Sequence, residues 1–153
     1  IAINPKDPVA YYKRGLAKDE LKDYQGAIAD YSKAIAINPQ YAIAYNNRGN
    51  AKSSLGDYQG AITDLNKAIQ IDPQYANARY NRGNAKYELK DYQGALADFN
   101  KAIEINPQLA PAYANRGIAN ELVGDLKGAC ADWRKASSLG DKDAAGWVRG
   151  QCQ

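Results

Sequence analysis

Residues 42–75, AIAYNNRGNAKSSLGDYQGAITDLNKAIQIDPQY, are followed at once by residues 76–109, ANARYNRGNAKYELKDYQGALADFNKAIEINPQL, and the two stretches align column by column over 34 residues. The same period extends outward, to 8–41 before them and 110–143 after them. The columns held fixed are those a helical hairpin needs. Column eight is Gly15, Gly49, Gly83 and Gly117, column twenty is Ala27, Ala61, Ala95 and Ala129, and column twenty-seven is Ala34, Ala68, Ala102 and Ala136. Small residues at these places let two helices approach closely, while Tyr31, Leu65, Phe99 and Trp133 in column twenty-four fill the space beside them. Lys22-Asp23, Gly56-Asp57, Lys90-Asp91 and Gly124-Asp125 mark a turn between two stretches of helical apolar spacing. Pro39, Pro73 and Pro107 close the first three segments, because proline disfavours helix in the residue before it; Asp141 takes that column in the fourth. Each segment therefore reads as helix, tight turn, helix. One such hairpin cannot bury its apolar stripe alone, so the segments stack, and the fold class is all-α.

Composition narrows the function. Of 153 residues 45% are hydrophobic and 24% charged, the balance of a globular chain of ordinary domain size. There is no histidine, which removes histidine acid–base relays, histidine-paired nucleophiles and histidine metal ligands together. Two cysteines alone cannot make a zinc site. The sequence has no Gly-x-Ser-x-Gly, and its glycines occur singly and not as a phosphate-cradling loop. A net charge of +3, from 20 basic and 17 acidic residues, is too small to imply a nucleic-acid or membrane-surface partner. No apolar run approaches the roughly 18 residues of a membrane span. The expectation is a chain that is not an enzyme and uses no cofactor or metal, with a protein or peptide as its partner, and neither nucleic acid nor membrane.

The columns resemble the tetratricopeptide repeat over residues 8–143, with the recurrent Asn-Arg-Gly of bacterial-type arrays. The resemblance implies a right-handed superhelix, or solenoid, of stacked antiparallel helix pairs, with repeats at 8–41, 42–75, 76–109 and 110–143. Residues 144–153 read as a C-terminal capping helix whose Trp147 and Val148 cover the last repeat. Ile1-Ala2-Ile3-Asn4-Pro5 duplicates Ile35-Ala36-Ile37-Asn38-Pro39, so residues 1–7 read as the end of a truncated preceding repeat. An apolar edge is expected around Ile1, Ile3, Val9, Tyr11 and Tyr12, and weak self-association with it.

Two columns depart from the family, which usually has Leu in column seven and Tyr in column eleven. Here column seven is Arg14, Arg48, Arg82 and Arg116, and column eleven is Lys18, Lys52, Lys86 and Asn120. Sixteen residues after each arginine, across the turn, comes an aspartate: Asp30, Asp64, Asp98 and Asp132. That interval places the two at similar heights on paired helices and predicts four intra-repeat ion pairs.

In the family, the first helix of each repeat lines a concave face, and the resemblance turns columns two, five, six, nine, twelve and thirteen toward it. Column six is Lys13, Asn47, Asn81 and Asn115; Asn50 and Asn84 stand in column nine; Tyr12, Asn46 and Tyr80 stand in column five, and Tyr87 in column twelve. An asparagine amide both donates and accepts, so it can match the main chain of an extended peptide without regard to side chains. The spacing resembles the asparagine ladder of O-linked N-acetylglucosamine transferase. The carboxylate clamp of chaperone-binding members is rejected: Asn47 fits, but Tyr12 and Leu16 fail its first repeat and Asn77 and Asn81 its third. The expectation is a scaffold that binds an extended peptide segment in its concave groove; the alternative is a structural spacer or self-association array within a larger protein.

Cys130 and Cys152 lie equidistant from residue 141, inside the break between the last repeat and the cap. Two readings stay open. If the flanking helices run antiparallel the thiols stand at one height and can bridge, which points to an extracytoplasmic home. Otherwise Cys130 is a small buried substitute for the Ile28, Ile62 and Leu96 of its column, Cys152 is a free terminal thiol, and the compartment is the cytoplasm.

Overall fold

The computed structural model describes residues 6–152, so the expectations placed on Ile1 and Ile3, and with them the preceding repeat, lie outside the described residues. Among the described residues there are nine helices: α1 (Pro8–Glu20), α2 (Tyr24–Ile37), α3 (Ala42–Ser54), α4 (Tyr58–Ile71), α5 (Ala76–Glu88), α6 (Tyr92–Ile105), α7 (Ala110–Leu122), α8 (Leu126–Ser138) and α9 (Lys142–Gln151). They form two compact units, the first ending at Asn81 and the second beginning at Arg82. In the first, α1 packs on α2, α2 on α3 and α3 on α4; in the second, α6 packs on α7, α7 on α8 and α8 on α9.

The turn inside each hairpin is made by one left-handed residue followed by a cap. Lys22 and Lys90 take φ of 60° and 63°, Gly56 and Gly124 take 81° and 88°. The next residue is always aspartate: Oδ1 of Asp23 accepts the N–H of Gly26 at 3.0 Å, and Asp57, Asp91 and Asp125 do the same for Gly60, Gly94 and Gly128 at 2.9 Å. Each bond satisfies one of the donors that a helix start leaves without an intrahelical partner. At the far end of α2, α4 and α6, Oδ1 of Asn38, Asp72 and Asn106 accepts the N–H of Gln40, Gln74 and Gln108 at 3.1, 3.0 and 3.1 Å. This side-chain turn carries the chain past the proline to the next helix.

The alanines of columns twenty and twenty-seven have no exposed surface, and neither do Tyr31, Leu65 and Phe99 beside them. The glycine of column eight is required by what faces it. A Cβ on Gly15 would lie 2.6 Å from Tyr31 Cε1, one on Gly83 would lie 2.6 Å from Phe99 Cε1, and one on Gly117 would collide with Trp133 Nε1. Across from Gly49 the branched Leu65 is less intrusive, its Cγ 3.0 Å from the same point.

Each column-seven arginine grips the aspartate sixteen residues on with two arms. Nη2 reaches Oδ1 at 2.5 Å in Arg14–Asp30, Arg82–Asp98 and Arg116–Asp132 and at 2.6 Å in Arg48–Asp64. Nε reaches Oδ2 at 2.7, 2.8, 2.9 and 2.8 Å in Arg14–Asp30, Arg48–Asp64, Arg82–Asp98 and Arg116–Asp132. Column eleven completes the group: Nζ of Lys18, Lys52 and Lys86 lies 2.8, 2.8 and 2.7 Å from the same Oδ2, and in the last repeat Asn120 Nδ2 donates to it at 3.1 Å. The carboxylates are buried, with at most 5% of their surface exposed. The Arg14 guanidinium bonded to Asp30 holds that carboxyl below the usual carboxylate range, against the opposing pull of burial. The remaining arginine arm ties hairpin to hairpin, Arg48 Nη1 donating to Ser32 Oγ at 3.0 Å and Arg116 Nη1 to Asn100 Oδ1 at 2.6 Å. Tyr11, Tyr45 and Tyr113 stack on the same guanidinium groups, 5.5 to 5.6 Å from ring centre to Cζ.

Asp141, where the other segments have proline, caps α9 by accepting the N–H of Ala144 at 2.9 Å. The Trp147 ring lies 5.6 Å from that of Trp133, and Val148 packs on the same cluster. Cys130 and Cys152 are joined by a disulfide, their Cα atoms 5.6 Å apart.

Because Phe99 leaves no room and Leu65 leaves some, Gly83→Ala is expected to cost several-fold more stability than Gly49→Ala, the first at about 1–3 kcal/mol from overpacking. Urea denaturation of both variants checks this, and equal losses would refute the steric account.

Candidate functional site

In the first unit the first helices bring columns five and six together in a hydrogen-bonded line. Asn81 Nδ2 donates to Asn46 Oδ1 at 3.0 Å, Asn46 Nδ2 to Asn47 Oδ1 at 2.9 Å, and Asn47 Nδ2 to Tyr12 Oη at 3.1 Å. Asn46 is buried, with 5% of its surface exposed, and so acts from behind the line, orienting the half-buried Asn47 and Asn81 in front of it. Tyr12 ends the line inside an aromatic group, its ring centre 5.3 Å from Tyr41 and 5.9 Å from Tyr31. Burial, joined by the nearby Tyr12 and Asp72, pushes the Tyr75 phenol up to about 12. Burial raises Tyr12 as well, although the bond from Asn47 works the other way. The phenols therefore remain neutral donors at ordinary pH. Tyr31 uses its hydroxyl on Asp19 Oδ2, at 3.3 Å, and burial lifts that carboxyl above its ordinary value.

In the second unit, columns six, nine, twelve and thirteen form an open cavity of 340 Å³ lined by Asn84, Tyr87, Glu88, Asn115 and Ile118. Asn115 Nδ2 donates to Asn84 Oδ1 at 2.8 Å, a bond that joins α7 to α5 across this wall. The Tyr87 ring lies 5.5 Å from Tyr92 at the start of α6, which fixes its orientation.

The structure thus gathers Tyr12, Asn46, Asn47 and Asn81 into one group and Asn84, Tyr87 and Asn115 into another. Lys13 and Asn50 stand exposed outside these bonds, and Tyr80 is half-buried. One contributor, Glu88, is absent from the sequence reading of the site, and another, Asn46, plays a different part from the one expected. Glu88 lines the cavity from column thirteen, where the other repeats hold Glu20, Ser54 and Leu122, so no recurrent residue type marks the position. Asn46 is a support where a surface amide was expected, and a burial difference between adjacent asparagines has no signature in the residue letters. Among the described residues no three of His, Cys, Asp or Glu gather as metal ligands, and no helix is long and apolar enough to cross a membrane.

A family model described as TPR repeat matches residues 20–56 and 49–90, and one described as Tetratricopeptide repeat matches 76–109; together they span more than half of the chain. No curated protein matches in sequence. Among solved structures, MamA aligns at 27% identity and a TM-score of 0.83, covering 93% of this chain and 83% of that one. A 41-end form of MamA from Desulfovibrio magneticus RS-1 aligns at 25% identity and a TM-score of 0.79, covering 88% and 76%. The first TPR of Spaghetti (RPAP3), solved bound to the HSP90 peptide SRMEEVD, shares the fold at 22% identity and a TM-score of 0.75, covering 80% and 98%.

Removing the buried support should be felt more than removing an exposed amide. Asn46→Ala leaves Asn47 without a donor and Asn81 without an acceptor, and is expected to cost about 1–3 kcal/mol. Asn50→Ala should stay within about 0.5 kcal/mol of wild type. Chemical denaturation compares them, and equal effects would mean that the line of amides has no structural weight.

Proposed function

We propose that this chain, which belongs to the tetratricopeptide repeat family, is a non-enzymatic scaffold whose first-helix face holds an extended peptide segment of a partner protein. The observation that carries the reading is the tethering of Asn47, Asn81 and Asn115, one per repeat, each by an Nδ2–H bond to a neighbour on this face. An amide has two donor and two acceptor positions, so one such bond orients it without exhausting it. One such anchored amide per repeat suits the N–H and C=O groups of an extended main chain, as in the ladder that this spacing resembles. Peptide occupancy of the RPAP3 repeat supports the class of ligand, although its acidic sequence does not carry over, because the clamp residues are missing here. A structural spacer or self-association array draws on the same bonds, since an amide tied to its neighbour also fixes the stacking of helices.

Binding to an array of extended peptides distinguishes these readings. The variant Asn47→Ala/Asn81→Ala/Asn115→Ala should lose affinity across the whole array, by about 0.5–1.5 kcal/mol for each main-chain bond lost, and N-methylation of a bound peptide should weaken it similarly. Equal affinity for N-methylated and unmodified peptide would refute the main-chain mechanism. Absence of binding to any peptide would leave the spacer.

The Cys130–Cys152 bridge supports an extracytoplasmic, oxidising home for the chain. It closes a loop of 22 residues and ties α9 to α8, for which chain entropy gives a stabilisation of about 3 kcal/mol. Thiol titration of the denatured protein, isolated without reductant, should find none. Two free thiols would count against both the bridge and the compartment.

A further inference from the structure

The second-unit cavity is lined from columns six, nine, twelve and thirteen. Across all four repeats those columns hold Asp19, Glu20, Glu88 and Glu121 against one base, Lys13, although the whole chain carries a net +3. Within the second unit these columns hold Glu88 and Glu121 and no base, so the wall of the cavity is negative on a positive molecule. Most other acids in the repeats have structural duties. Asp30, Asp64, Asp98 and Asp132 hold the hairpins together, Asp23, Asp57, Asp91 and Asp125 cap helices, and Glu104 pairs with Lys101. Glu88 and Glu121 enter no ion pair among the described residues. Their positions also oppose the helix dipole: Glu88 ends α5 and Glu121 lies in the last turn of α7, where local electrostatics favours a cation.

Glu88 lines the cavity beside Tyr87, and Glu121 follows Ile118, another lining residue, by three positions on α7, which places it on the same face of that helix. Burial holds the Tyr87 phenol above its ordinary value, and Tyr92, Glu88 and Glu121 add to it through their charges. Ile118 supplies the apolar part of the wall, and Asn84 and Asn115 the amides. At 340 Å³ the cavity sits at the low end of the roughly 300–1,000 Å³ of small-ligand sites, room for one long side chain.

We infer that the partner segment is cationic, and that this cavity receives a lysine or arginine side chain of an extended peptide. Glu88 and Glu121 face the cation, the Tyr87 ring presents its π-face to it, and Ile118 contacts the aliphatic stem. The inference rests on the reading that this face binds an extended peptide, and adds the charge of the ligand.

The test uses fluorescein-labelled, end-capped nine-residue peptides of glycine, serine and alanine whose centre is Lys-Ala-Lys, Gln-Ala-Gln or Glu-Ala-Glu, with binding followed by anisotropy at low and high salt. The lysine peptide should bind about tenfold tighter than the glutamine peptide and the glutamate peptide more weakly than either, the spread narrowing as salt rises. Glu88→Gln/Glu121→Gln should bring the lysine peptide down to the glutamine level. It should also raise the melting temperature, because it removes acids from helix C-termini; a fall in affinity with a rise in stability is not what unfolding produces. Glu104→Gln, which alters an acid paired with Lys101 on α6, should keep the lysine preference. Equal affinity for lysine and glutamine peptides, with N-methylation still weakening both, overturns the cationic inference and leaves main-chain binding standing. A preference for the glutamate peptide overturns it in favour of an acidic partner. If no peptide binds, both readings fall together.

Discussion

A buried carboxylate on the second helix of each hairpin is the constraint from which the rest of this structure follows. An aspartate with almost no exposed surface cannot remain charged without compensation, and here the compensation comes from the first helix of the same hairpin: a forked guanidinium together with an ammonium or an amide. The fork is planar and bidentate, so it fixes the height and rotation of one helix against the other, which apolar contacts between alanines would leave free to slide. Replacing such an arrangement by well-packed apolar residues is often neutral or stabilising, whereas removing one member strands a buried charge at about 3–5 kcal/mol. Its value therefore lies in register more than in net stability. Because Asp30 titrates below the usual carboxylate range, its contribution is fully present above the unfolded-state pKa. It is lost as pH falls past that value and through the lower folded one.

Arg48 and Arg116 carry that register from one hairpin to the next. A guanidinium has five N–H donors, and three of its bonds can be followed here: two to the aspartate and one back to Ser32 or Asn100 on the preceding second helix. Lysine in column seven could make the first contact but not the other two at once. Tyr11, Tyr45 and Tyr113, three residues before Arg14, Arg48 and Arg116, set a ring 5.5 to 5.6 Å from the guanidinium carbon; the third repeat has Arg79 in that column. In the other three repeats the tyrosine, the arginine, the column-eleven residue and the aspartate thus act as one unit.

Much of this was legible in the letters. Glycine, alanine and proline columns at a fixed period determine hairpins and their ends, and the sixteen-residue interval from arginine to aspartate spans the turn by simple geometry. The part of Lys18, Lys52 and Lys86 was not legible. They stand four residues after the arginine on the same helix face, where two like charges look like a solvated surface, and only their convergence on a single Oδ2 makes the arrangement favourable. The asparagine line was legible as composition and not as hierarchy, because Asn46 and Asn47 are chemically identical and differ only in which way the helix turns them. Net charge concealed the character of the groove for a related reason. Many of the bases, Arg14, Arg48, Arg82, Arg116 and three lysines among them, belong to the structural network and neutralise buried acids, so the +3 of the whole chain says nothing about the face left for a ligand.

The fourth hairpin shows what the periodic residues are for, because three of its columns depart from the pattern together. Asp141 stands in the proline column and serves as the N-cap of α9. Trp133 replaces the smaller residues of its column and meets Trp147 of the cap, while its indole N–H donates to the buried Ala114 carbonyl at 3.3 Å. Cys130 stands where isoleucine or leucine packs elsewhere and ties the cap covalently. A ten-residue helix buries too little surface to hold its place by apolar contact alone, being shorter than the roughly 12–15 residues at which an isolated helix becomes even marginally stable. The Asp141 N-cap, the tilted Trp133–Trp147 contact and the bridge together hold α9 against α8.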